Sequence, residues 1–91
     1  IVGVSGNAIS NEGTMTIGVK DGNIDNTSVT VLGKVDGLEN VSILNFYDGI
    51  IKGVDAAIVG PITEIEDNSH LIDGTEVIDG VTYQTKYLEL D

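Results

Sequence analysis

Cysteine, tryptophan and arginine are absent from this sequence, and proline, histidine, methionine and phenylalanine occur once each. Without cysteine there is no disulfide staple, no thiol nucleophile and no thiolate metal ligand. Four lysines face fifteen aspartates and glutamates, for a formal charge of -11. The chain thus lacks the clustered cations with which proteins grip phosphate backbones or anionic bilayer surfaces, so neither nucleic acid nor a membrane is expected as a partner. The best uncharged stretch, Ala56 to Thr63, is broken by Gly60-Pro61 and falls well short of the ~20 apolar residues that span a bilayer. One Phe and three Tyr leave little with which to line a sugar-stacking cleft.

What is present favours strands. Ile, Val and Thr supply 31 β-branched positions, against 21 from Ala, Leu, Met, Gln, Glu and Lys, and branched side chains fit a pleated surface better than a helix. Twelve glycines serve as turn formers, and an apolar content of 41% is too high for a disordered acidic tail. At 91 residues the expectation is one β-rich domain over 1–91. The expected fold is all-β, a single small antiparallel β-sandwich or β-roll joined by Asp-Gly hairpin turns. A short β-helix or solenoid segment is the alternative.

Alternation predicts strands over Thr14–Lys20, Ser28–Val35, Val41–Tyr47 and Val81–Leu90. Leu44 and Phe46 oppose Val41, Ile43 and Tyr47, the pattern of a central strand buried on both faces. The phase change within Val81–Leu90 predicts a bulge or a change of partner. Asp-Gly pairs at 21, 36, 48, 73 and 79 are each candidate type I′ turns. A hairpin is expected at Asp36-Gly37, and one helical turn between Val54 and Val59. Leu71 to Glu76 nearly repeats as Val77 to Thr82, which two adjacent hairpin turns explain; no longer repeat is evident. The chain begins Ile1-Val2-Gly3-Val4 rather than with Met, as expected either of a processed product, whose export signal would already be gone, or of a segment excised from a longer chain.

Asp21, Asn23, Asp25 and Asn26 place oxygen ligands at positions 1, 3, 5 and 6 of a loop, and such spacing suits calcium. Position 6 of an EF-hand is Gly and position 12 is Glu, whereas this chain has Asn26 and Leu32. What survives is a looser calcium loop, or an ordinary polar connection; apart from calcium no cofactor is expected. Glu64, Glu66 and Asp67 form a second acidic group, read as a solvated face or a cation site. Ser69-His70 lacks an accompanying nucleophile elbow and is read as a surface histidine in a turn. Tyr83 and Tyr87 lie on one strand face, as a small glycan platform or as cross-strand packing.

Both termini are strand-like and apolar: Ile1, Val2 and Val4 at one end, Leu88 and Leu90 at the other. Open terminal strands can complete a neighbour's sheet. The expected function is a non-enzymatic structural subunit of a self-assembling surface or particle structure, such as a virion, tail, fibre or pilus-like filament. Its partners would be further copies or other assembly subunits, and its place extracellular, on a cell surface or in a virion. The alternatives are a monomeric calcium-dependent adhesion or carbohydrate-binding module and, more remotely, a small hydrolase using His70 or a carboxylate pair. The β-branched strands and Asp-Gly turns resemble, in a general way, β-sandwich and β-helical modules of phage and bacterial surface proteins, and no motif points to one family.

Overall fold

The computed structural model describes residues 1–27 and 29–91; Ser28, the first residue of one expected strand, lies outside the described residues. Among the described residues there are ten strands and no helix: β1 (Ile9–Asn11), β2 (Thr14–Ile17), β3 (Thr30–Gly33), β4 (Asp36–Asn40), β5 (Ile43–Phe46), β6 (Ile50–Gly53), β7 (Ala56–Val59), β8 (Glu64–Ile65), β9 (Ser69–Ile78) and β10 (Val81–Leu90). The protein is all-β. Its sheets are ordered β1-β4-β7, β2-β5-β8 and β3-β6-β10-β9. Every pairing is parallel except those of β10, which runs antiparallel to both β6 and β9. An antiparallel sandwich is therefore not what forms. Each circuit of the chain instead visits the three sheets in turn, and its strands lie parallel on those of the circuit before it.

Stacking in register explains how so small a chain builds a core. Ile9 lies over Leu38 and Leu38 over Ile58, Met15 over Leu44, Ile17 over Phe46 and Phe46 over Ile65, and Val31 over Ile51. Like-placed apolar side chains form columns inside the coil, and Leu38, Leu44, Phe46, Ile51, Val31 and Leu88 are fully buried. Successive side chains in a strand face opposite ways, so the outward positions Ile43 and Val41 are left exposed. Only one face of β5 is covered, not two as expected for a central strand.

Corners, rather than hairpins, connect most strands. At Gly33 and Gly53, which are in register, an added Cβ would lie 1.9 Å from the carbonyl oxygen of Asp36 and of Ala56 respectively. Only glycine lets the chain double back so tightly onto the next strand. Asp36-Gly37 then lies inside β4, Asp73-Gly74 inside β9, and Val54–Val59 turns a corner into β7. The hairpin expected at Asp36, the first of the two turns read into the 71–82 echo (Asp73-Gly74) and the helical turn are thus absent. Their side-chain chemistry allows a turn, but burial of Leu38 and Ala57 in the core favours extended backbone at those places.

One Asp-Gly hairpin does form. Asp79 and Gly80 take φ values of 51° and 79° between the paired residues Ile78 and Val81, the positive-φ pair a type I′ turn requires. It joins β9 to β10 in unbroken register over ten residue pairs, while β6 pairs with β10 only from Gln84 to Tyr87. The phase change in β10 reflects burial on both faces rather than a bulge. Leu88 shares the inward face of Lys86, which opposes Ile51, whereas Tyr83 is buried on the other face beneath Lys34.

The coils are unequal. Leu38 and Ile58 are twenty residues apart, as are Val31 and Ile51, but Ile9 and Leu38 are twenty-nine apart. The nine additional residues all fall between β2 and β3, where 18–29 replaces the three-residue corner 47–49 of the next coil.

Candidate functional site

Two carboxylates on the coils hold this insertion down. Asp48, at the β5–β6 corner, is 6% exposed. Its Oδ1 accepts from the backbone N–H groups of Asp25 (2.9 Å), Asn26 (2.8 Å) and Gly49 (2.8 Å). Glu66, buried just past β8, accepts the N–H of Asp21 on both oxygens (3.1 and 2.9 Å) and that of Asp67 (3.3 Å). A carboxylate taken out of water is stable only if donors replace its hydration; here the loop's own amides do so. Asp21 and Asn26 adopt φ of 62° and 63°, a conformation Asp and Asn tolerate better than most residues.

Two of the proposed ligands of the calcium loop, Asn26 and Asp25, make side-chain hydrogen bonds within the chain. Asn26 turns inward, its Nδ2 donating to the Leu88 carbonyl at 2.9 Å, and its Oδ1 is buried without a partner among the described residues. Asp25 Oδ1 accepts from the Thr27 hydroxyl. Asp21, Asn23 and Asp25 are exposed. Among the described residues no group of three or more histidines and carboxylates is placed to hold a metal ion.

Beside the loop, Glu64 accepts from the Tyr47 hydroxyl and from Lys20 Nζ, the latter at 3.4 Å. The tyrosine hydroxyl, and after it Lys20, hold the Glu64 carboxyl below its ordinary 4.5. Tyr47 is pushed above its ordinary 10.0, first by the same hydrogen bond and then by burial. Lys20 is raised above 10.5, first by its bond to Glu64. The signs differ for linkage. The Glu64 contribution to stability is present above pH 4.5 and is lost as pH falls through its lowered pKa. Those of Tyr47 and Lys20 are present below 10.0 and 10.5 and are lost as pH rises through the raised values. We expect Tyr47→Phe to move the Glu64 titration upward, toward its ordinary value, in a carboxyl-carbon NMR titration. An unmoved midpoint would show that Lys20 alone sets it.

The other residues singled out above are dispersed. Tyr83 is 1% exposed, with its hydroxyl accepting from Lys34 Nζ at 2.8 Å, so it offers no platform with the half-buried Tyr87. Leu88 is fully buried in the core and presents nothing to a partner, whereas Ile1, Val2, Val4 and Leu90 are exposed. His70 lies on β9 rather than in a turn and pairs through Nδ1 with Asp91 (2.7 Å). The Ser69 hydroxyl donates instead to the Glu66 carbonyl (2.6 Å). A shallow groove of about 220 Å³ runs between β7 and the hairpin, past Asp55, Ala57, Gly74 and Thr85, and on its hairpin side Lys86 pairs with the cross-strand Asp73 at 3.3 Å.

A second polar feature is the asparagine ladder at the corners after β1 and β4. Asn11 and Asn40 are in register, and Asn40 is 2% exposed. Asn40 Oδ1 accepts from Ser42 N–H (3.2 Å) and Asn11 Nδ2 (2.8 Å), while its Nδ2 donates to the carbonyls of Ser42 (3.2 Å) and Pro61 (2.8 Å). In the third coil Gly60 replaces asparagine at a φ of 98°, and a Cβ there would lie 1.9 Å from the Asn40 carbonyl oxygen.

On the N-terminal side two sheets end on β1 and β2, and the third is extended by Ile1 to Gly3. Ile1 to Gly3 run parallel to β3: Val2 bridges Leu32, Leu32 N–H donates to Ile1 O (2.8 Å) and Gly3 N–H to Leu32 O (2.7 Å). Beside that strand, β1 and β2 are edge strands whose inner carbonyls, those of Asn11, Gly13 and Ile17, accept from Val41, Ile43 and Tyr47. Alternation then turns the backbone groups of Ser10 and Thr16 outward.

Reading for short motifs missed Asn11 and Asn40, and it gave Asp48 only a place in a turn pair and Glu66 only a place in an acidic group. The available signal was the recurrence of Val31-Leu32-Gly33 and Leu38 as Ile51-Lys52-Gly53 and Ile58, a twenty-residue period masked in the first coil by the insertion. A scan against protein-family models and searches of the curated proteins and of the solved structures return no match to this chain.

Proposed function

We propose that this chain is a non-enzymatic structural subunit of a surface or particle assembly, in an extracellular, cell-surface or virion setting, joined to its neighbours by strand addition at the N-terminal layer. The carrying observation is that Ile1–Gly3 already extends one sheet beyond β3 while β1 and β2 end their sheets. Main-chain groups on such edges supply affinity, and side-chain fit supplies selectivity. The exposed Val2, Val4 and Ile1 around the layer add apolar area to bury. With a charge of -11, copies repel one another, which keeps identical open edges apart.

Sedimentation velocity tests this reading. Weak self-association is expected to emerge at ~1 M salt, where the screening length falls to about 3 Å, and to disappear in the Ser10→Pro, Thr16→Pro double variant. Proline removes an outward donor there without touching the inner ladder. A chain that stays monomeric at high salt and high concentration, or that associates regardless of the prolines, refutes assembly through these edges.

A further inference from the structure

We infer that Asn40 is an N-glycan acceptor only while the chain is unfolded, that its glycosylation and the folding of the coils exclude one another, and that the folded protein is therefore made in a compartment that transfers no N-glycans. This concerns how the chain is made and holds however copies associate.

N-glycan transfer requires asparagine followed two residues later by serine or threonine, and Asn26-Thr27-Ser28 and Asn40-Val41-Ser42 are the two places that qualify. The sugar comes from an activated donor, a lipid-linked or nucleotide sugar. Its C1 bonds to the asparagine Nδ2 as the bond from C1 to the donor oxygen breaks, and one Nδ2 hydrogen leaves as a proton. A single N–H remains on the amide.

Asn40 uses both. Its Nδ2 donates to the carbonyls of Ser42 (3.2 Å) and Pro61 (2.8 Å), so a sugar at Nδ2 displaces one acceptor and leaves a part-buried carbonyl without its donor. Space is missing as well. Asn40 is 2% exposed, and the next coil lies so close that a Cβ added at Gly60 would stand 1.9 Å from the Asn40 carbonyl oxygen. A corner that does not admit one methyl does not admit a pyranose ring. Asn26 is the milder case, turned inward by one bond from Nδ2 to the Leu88 carbonyl at 2.9 Å.

The pattern is the reverse of a surface decorated with glycans. Such sugars are bulky and stand on exposed positions, yet the exposed Asn23 and Asn68 lack serine or threonine two residues on. Both complete motifs fall instead on asparagines that the fold has engaged. In a glycosylating lumen the extended chain meets the transferase before its coils close, and a glycan on Asn40 then keeps the second coil from stacking between the first and the third.

Directing the chain into the secretory lumen of a glycosylating host tests this, with mass spectrometry of the protease-resistant and protease-sensitive fractions. The Asn40 glycan is expected in the sensitive fraction and absent from the resistant one. Ser42→Ala removes the motif without disturbing the ladder, which uses only the backbone N–H and carbonyl of Ser42, and should raise the resistant fraction at least about twofold. Resistant chains bearing the Asn40 glycan overturn the exclusion. Asn40 unmodified in both fractions, or a resistant fraction that Ser42→Ala leaves unchanged, overturns the assignment of compartment. The full chain synthesised with one N-acetylglucosamine on Asn40 checks the exclusion without a host: its cooperative melt should be lost, and a melting temperature within about 4 °C of the unmodified chain overturns it.

Discussion

Asp48→Ala is expected to lower the unfolding free energy by about 3 kcal/mol, with the 18–29 insertion released before the coils. Three backbone amides donate to one Oδ1, and each amide left without an acceptor costs on the order of 1–3 kcal/mol when buried. The full sum does not apply, because the amides of Asp25 and Asn26 are only part-buried and water reaches them once the loop lifts. Asp48→Asn keeps an oxygen in the same place without the charge. Charge-assisted bonds are roughly twice as strong as neutral ones, so the asparagine variant should lose about half as much. Urea melts give the totals, and hydrogen exchange at residues 19–27 shows where the loss falls. A loss under about 1 kcal/mol for the alanine variant would mean that Glu66 and Asn26 anchor the loop without help.

Asn40→Leu should cost a similar amount, about 3 kcal/mol, although leucine has the same branching and number of side-chain heavy atoms. Asparagine here closes a corner and ties three coils: its bonds reach Ser42 in its own coil, Asn11 before it and Pro61 after it. Leucine leaves a buried N–H and carbonyls facing an apolar group, the desolvation penalty that makes orphaned partners expensive. Asn40→Asp separates the two halves of the amide. Oδ1 still accepts from Ser42 and Asn11, but the second oxygen meets the Pro61 carbonyl where Nδ2 had donated. That variant should be destabilised at neutral pH and regain stability as pH falls and its carboxyl protonates, because the protonated acid donates where the carboxylate cannot. Melts that fall steadily with acid, as the parent's carboxylates are titrated, would show that the Pro61 bond carries little weight.

These two positions also show how far the sequence could be read. Strand content was legible because Thr14 and Thr16 alternate with Met15 and Ile17 and because Ile, Val and Thr dominate the composition. Asp79-Gly80 was legible as a hairpin because both residues accept positive φ and the flanking segments are long enough to pair. Asp36-Gly37 carries the same dipeptide and forms no turn. There the neighbouring Leu38 has a column to join between Ile9 and Ile58, and the energy of that burial outweighs a local turn preference. The calcium spacing at 21–26 failed to indicate side-chain direction for a similar reason: Asn26 is drawn inward to the Leu88 carbonyl, sixty-two residues away in sequence.

Composition and local pattern alone determined that the protein is built of strands, that it lacks thiol chemistry and that its charge opposes polyanionic partners, because these are sums over residues or properties of near neighbours. Tertiary structure decided that the strands stack in parallel coils, that Asp48 and Glu66 are loop anchors, that Tyr83 and Leu88 are buried, and that the sheets end on β1 and β2 at one side and on β7, β8 and β9 at the other. Each of those depends on which residues come to lie over one another twenty or twenty-nine positions apart, and pairing at that distance is chosen by the collective burial of whole columns rather than by any short stretch of chain.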